Sequence, residues 1–118
     1  MVMKARIIIL GLITLVFSSC MEEGKVQVQN KVHNVILESI SYGDVSIYYS
    51  LLPGEKSEKV TIWDLRESFP MTHQLDFYMV GDGNRVYLKT KESYELNYDE
   101  TLLIVITDST EVINPLLD

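Results

Sequence analysis

Leu75-Asp76-Phe77-Tyr78-Met79-Val80-Gly81-Asp82-Gly83-Asn84-Arg85-Val86-Tyr87-Leu88-Lys89-Thr90 decides the fold class. Two stretches of alternating apolar and polar residues flank Asp-Gly, which tolerates the positive φ angles of a type I′ hairpin turn. With Asp82 and Gly83 as the loop, facing positions sum to 165. Met79 then faces Val86, Phe77 faces Leu88 and Leu75 faces Thr90, which makes one apolar face. On the other face Tyr78 meets Tyr87, Asp76 meets Lys89 and Val80 meets Arg85. Aromatic and opposite-charge pairs stabilise facing strands by about 0.2–1 kcal/mol each. One register satisfies both faces, so the stretch predicts a hairpin.

The same alternation recurs on both sides. Val45, Ile47, Tyr49 and Leu51 alternate with Ser46, Tyr48 and Ser50, after a Tyr42-Gly43-Asp44 turn. In the preceding strand Glu38 shares a face with Ile36 and Ile40, so it either sits near a rim or has a partner elsewhere. Val60-Thr61-Ile62-Trp63-Asp64-Leu65 is β-branched and aromatic, and Trp63 is expected in the core. Leu102-Leu103-Ile104-Val105-Ile106 is apolar throughout and reads as a central strand covered on both faces. No run of apolar residues at helical spacing is long enough for a core helix. About six to eight short strands with turns between them suggest an all-β fold, a small antiparallel β-sandwich of immunoglobulin-like type.

The chain has 118 residues and a net charge of −7, with one cysteine. That suits one domain. The acidic balance argues against nucleic acid, whose phosphates need clustered Lys and Arg. One cysteine excludes an intramolecular disulfide and a multi-cysteine metal site.

The N-terminus joins Lys4 and Arg6 to an apolar stretch from Ile7 to Phe17, followed by Ser18-Ser19-Cys20. The stretch matches a signal peptide and falls short of the roughly 20 residues a membrane-spanning helix needs. Phe17-Ser18-Ser19-Cys20 resembles the lipobox of bacterial lipoproteins, with Phe17 where that family favours Leu. The resemblance implies cleavage before Cys20 and acylation of that residue, as with palmitate. Two or three acyl chains, at about 0.8 kcal/mol per buried CH₂, give stable anchoring. Without Lys4 and Arg6 the chain from Cys20 keeps eight basic and seventeen acidic residues, a net of −9. Glu22 and Glu23 resemble the acidic export signal of surface lipoproteins in Bacteroidota. Retention on the periplasmic face of the outer membrane stays open beside the cell surface. The expected division is a signal peptide over 1–19, a lipidated, acidic tether over 20–30, a sandwich over 31–113 and a tail over 114–118.

Phe77-Tyr78-Met79-Val80-Gly81-Asp82-Gly83-Asn84, Leu96-Asn97-Tyr98-Asp99-Glu100 and Ile104-Val105-Ile106-Thr107-Asp108 are similar to the second half of a cadherin-like repeat. Asn97 stands where that family has Asp, so its calcium ligands are not carried over. The resemblance implies a sandwich and nothing more.

Chemistry-bearing patterns are sparse. His33 and His73 have no ligand partner at helical or strand spacing, so both are expected on the surface or in loops. There is no Gly-x-Ser-x-Gly, and the lone Cys belongs to the lipobox. Gly81-Asp82-Gly83 is explained by the turn rather than by phosphate binding. Asp64 with Glu67 and Asp99 with Glu100 are carboxylate pairs by name, read as solvated surface. No catalysis, cofactor or metal is expected.

Tyr78, Tyr87 and Lys89 form the candidate ligand surface, since Tyr and Arg are enriched where proteins meet partners. A protein or a glycan would suit it. Loops 53–59 and 66–73 could instead plug a partner's cleft, as in an inhibitor or immunity protein. Asp108-Ser109-Thr110 resembles the O-glycosylation acceptor of exported Bacteroidota proteins.

Overall fold

A computed structural model describes residues 22–63 and 67–117. Eight strands follow in chain order: β1 (Glu23–Lys31), β2 (Ile36–Tyr42), β3 (Val45–Leu51), β4 (Val60–Trp63), β5 (Met71–Gly81), β6 (Asn84–Leu96), β7 (Thr101–Thr107) and β8 (Val112–Ile113). They form two packed sheets, ordered β4-β1-β7 and β3-β2-β5-β6-β8. This is a small β-sandwich. The signal segment and Cys20 lie outside the described residues.

Alternation builds the core. Val26, Val28, Ile62, Ile104 and Ile106 point inward from the smaller sheet. Leu37, Ile40, Tyr42, Leu51, Leu75 and Phe77 meet them from the larger one. Burying each such aliphatic or aromatic side chain contributes about 1.5–3 kcal/mol.

The central hairpin has the expected register. Met79 faces Val86, Phe77 faces Leu88, Tyr78 faces Tyr87, Asp76 faces Lys89 and Val80 faces Arg85. Asp82 and Gly83 have φ of 51° and 78°, as a type I′ turn requires. At Leu75 the ladder shifts, and Gln74 faces Ser93. There the hydroxyl of Thr90 takes over from a backbone partner. Its Oγ1 accepts from the Leu75 N–H at 3.0 Å and donates to the Glu92 carbonyl at 2.8 Å.

A second bulge settles Glu38. Ser39 has a φ of 50°, and the β2–β5 ladder slips between Glu38 and Ser41. The extra residue lets Leu37 and Ile40 both face the core, each fully buried, and turns Glu38 outward. Its partner is Arg85, whose Nε donates to Glu38 Oε1 at 3.2 Å.

Three expectations are corrected. Residues 23–30 are not a tether, because β1 begins at Glu23 and is the middle strand of the smaller sheet. Its inward positions are Gly24, Val26, Val28 and Asn30, so a glycine and an amide dilute the apolar alternation. The Gly24 position is tight, since a Cβ there would lie 2.9 Å from the Leu96 side chain. Pairing is also not wholly antiparallel, because β1 and β7 run parallel from Lys25 opposite Thr101 to Lys31 opposite Thr107. Finally, β7 is an edge strand, with Leu103 42% exposed while Ile104 and Ile106 are buried.

Candidate functional site

Strand alternation places Tyr78 and Tyr87 on the outer face of the larger sheet, with ring centroids 5.2 Å apart and planes tilted by 47°. The Arg85 guanidinium lies 3.6 Å from the Tyr78 ring centroid and bonds Glu38 of β2 as well. Such a cation–π contact contributes about 0.5–1 kcal/mol at an exposed site. The Tyr87 hydroxyl donates to Asp76 Oδ2 at 2.9 Å. Burial, then the adjoining Asp76 carboxylate, raises the Tyr87 phenol above its ordinary range.

Side chains of three strands thus interlock as Glu38, Arg85, Tyr78, Tyr87 and Asp76. Lys89 does not join them by a bond. It faces Asp76 in register, but that carboxylate engages Tyr87, and among the described residues Lys89 forms no ion pair. The fifth member, Arg85, comes instead from the hairpin position beside the turn. Lys89 borders the strip on the β8 side, opposite Ile113.

A cleft of about 270 Å³ opens where β4 ends, beside the start of β5 and the β2–β3 turn. Tyr42, Ile62, Trp63, Met71 and Val45 line it, with Asp44, Glu67 and His73 as polar members. Trp63 is 43% exposed, which corrects its expected place in the core. The four-residue strand turns Ile62 inward, so its neighbour Trp63 points out. The cleft was not legible in the sequence, because it forms only where two separate stretches, 42–45 and 61–73, are brought together by the fold.

His73 is held on several sides. It sits in β5, not in a loop, and its Nε2 pairs with Glu67 Oε2 at 2.6 Å. Its ring meets the Tyr42 ring edge-on, with centroids 5.2 Å apart at 88°. Gly43, at a φ of 58°, admits the ring, because a Cβ there would come within 2.8 Å of it. The Tyr42 hydroxyl donates to the carbonyls of Tyr94 at 2.6 Å and Met71 at 3.2 Å. Burial pushes this phenol up to about 12.

The remaining candidates are tied into turns. Exposed His33 pairs through Nδ1 with Asp108 Oδ2, and its N–H donates to Asp108 Oδ1 at 3.0 Å. Chiefly that backbone bond holds the Asp108 carboxyl below its ordinary range. The 53–59 loop is strapped along β1, with the Gly54 and Ser57 N–H groups donating to the Asn30 and Val28 carbonyls. Glu100 caps its own turn by accepting from Asn97. Ser109 is exposed beside β7.

Among the described residues two carboxylates line the Trp63 cleft, and one of them, Glu67, is committed to His73. Among the described residues no group of three or more His, Cys, Asp or Glu side chains is placed to hold a metal ion. No helix among them is long and apolar enough to cross a membrane. No protein-family model matches the chain, and neither a curated protein nor a solved structure matches it.

Proposed function

We propose that this chain is a lipid-anchored protein of the bacterial outer membrane whose sandwich acts as a non-catalytic binding or structural accessory module. Cys20, in its lipobox-like setting, is the anchor. The observation that carries the binding role is the outer face of the larger sheet. Glu38, Asp76, Tyr78, Arg85 and Tyr87 are fixed there by one another into a strip of aromatic rings and charges. Pre-set side chains lose little freedom on binding, and the open face of a sheet suits a protein partner or a glycan better than a reaction that must exclude water. Lys89 at its border, with no ion pair among the described residues, adds a cation for a hydroxyl or carboxylate.

The test is pulldown from envelope extract and glycan-array binding with the wild-type protein and an Arg85→Ala, Tyr78→Ala double variant. Loss of the captured partner in a folded double variant is the expected result. Equal capture by both proteins would remove the strip from the reading. Anchoring is tested separately, because Cys20→Ala protein should leave the membrane fraction. Protease shaving of intact cells then decides between the outer surface and the periplasmic face.

A further inference from the structure

We infer that the end of the sandwich nearest Cys20 is a lipid-facing surface, with Trp63 seated among the headgroups of a zwitterionic leaflet. This rests on the lipoprotein reading above. The first step is covalent reach. Glu23 opens β1 and stands three residues after Cys20, so their Cα atoms lie no more than about 11 Å apart even when the link is fully extended. An acylated Cys20 at the surface therefore holds this end of the domain at or just above the headgroup layer, which is several ångströms thick.

The second step is what that end presents. Glu23 pairs directly with Trp63. The Asp99 N–H donates to the Glu23 carbonyl at 2.8 Å, which brings the β6–β7 turn and Tyr98 to the same end. Trp63 is 43% exposed and Tyr98 59%. Trp and Tyr are the side chains that favour the membrane–water boundary, where an apolar ring body and a polar tip are both satisfied.

Charge then selects the lipid. Among the described residues Glu22, Glu23, Asp44, Glu67, Glu95, Asp99 and Glu100 cluster towards this end, with Lys25 beside them. An anionic leaflet repels such a surface, whereas the ammonium groups of zwitterionic lipids can lie against its carboxylates.

Trp63 is the chain's single tryptophan and Cys20 its single cysteine, so the test reads one site. The acylated protein, its acyl groups verified by mass, is reconstituted into phosphatidylcholine vesicles carrying brominated acyl chains. Trp63 emission should shift to the blue relative to soluble Cys20→Ala protein, and lipids brominated near the headgroup should quench it. Acrylamide quenching should fall several-fold. Phosphatidylglycerol should weaken all three effects at low salt. Trp63 as open to acrylamide on vesicles as in solution would overturn the inference. Failure of the lipoprotein reading shows differently, as an unacylated mass and no flotation with vesicles. In that case the chain from Cys20, coupled through its thiol to a maleimide lipid, keeps the same link length. Shielded Trp63 there preserves the lipid-facing end, and exposed Trp63 rejects it.

Discussion

Asn30 shows how a single polar side chain can govern one end of this sandwich. It is fully buried at an inward position of β1, where an aliphatic residue would satisfy the pattern. Its Nδ2 donates to the carbonyls of Val35 at 2.8 Å and Leu51 at 3.0 Å, and its Oδ1 accepts from the Val32 N–H at 2.9 Å. Those bonds satisfy the β1–β2 turn and the end of β3 together. Asn30→Leu should therefore cost about 2–3 kcal/mol despite the same branched side-chain skeleton, because buried backbone groups lose their partners. The shift of the urea midpoint measures it. Tyr42 makes a comparable bridge with a pH signature. Its phenol is raised from 10.0 to about 12 by burial, so the folded state holds this proton more tightly than the unfolded one. The stabilisation is complete below about pH 10 and is lost as pH rises from 10 towards 12. Tyr42→Phe should flatten the alkaline decline in melting temperature across that window. Some slope should remain, since Tyr87 and Tyr94 are raised as well.

At the scale of elements, the contrast between β5–β6 and its neighbours shows what a sequence can carry. That hairpin was legible because one turn and both faces agreed on a single register. The bulge at Ser39 was not, since the misplaced Glu38 marked an irregularity that a rim position or a distant partner explained equally well, and a serine does not announce a left-handed conformation. The shift at Leu75 was hidden too, because Thr90 supplies by side chain what the ladder omits. Thr90→Val keeps the shape but strands the Leu75 N–H in the interior, so it should destabilise by about 1–3 kcal/mol in chemical denaturation. The run over 102–106 misled for a different reason, as five apolar residues in a row do not say which face is covered. As an edge strand with one open face, β7 should accept Leu103→Lys within about 0.5 kcal/mol. Ile104→Ala, one position away, should cost about 2–5 kcal/mol. Equal losses would restore the central placement. For the candidate site, the pairing of Tyr78 with Tyr87 could be read from register alone. The Arg85–Glu38 bridge could not, because it crosses from β6 to β2 through the bulge that turns Glu38 outward.

For the whole molecule, if Cys20 carries the proposed lipid anchor, the direction of β1 sets which parts meet the membrane and which stand clear of it. β6 leaves the turn at Asn84 and reaches Leu96 opposite Met71, beside the end that carries Trp63. At about 3.3 Å per residue, those thirteen residues place the Asp82-Gly83 tip some 40 Å from the end that carries Trp63. The tyrosine strip lies along this hairpin, so a partner can reach it without touching lipid. Under the proposed anchor, the same geometry gives the short link between Cys20 and Glu23 a role in setting orientation. One tryptophan ring gains too little at a membrane boundary to hold a domain down by itself, so its seating depends on being kept close. Twelve Gly and Ser residues inserted after Met21 would span about 20 Å on average, well beyond the roughly 8–10 Å over which exposed charges act in physiological salt. Acrylamide access to Trp63 on vesicles should then rise towards that of soluble Cys20→Ala protein, while flotation stays complete. If full shielding survives the insertion, the Trp63 surface binds lipid strongly in its own right, and link length does not set the orientation.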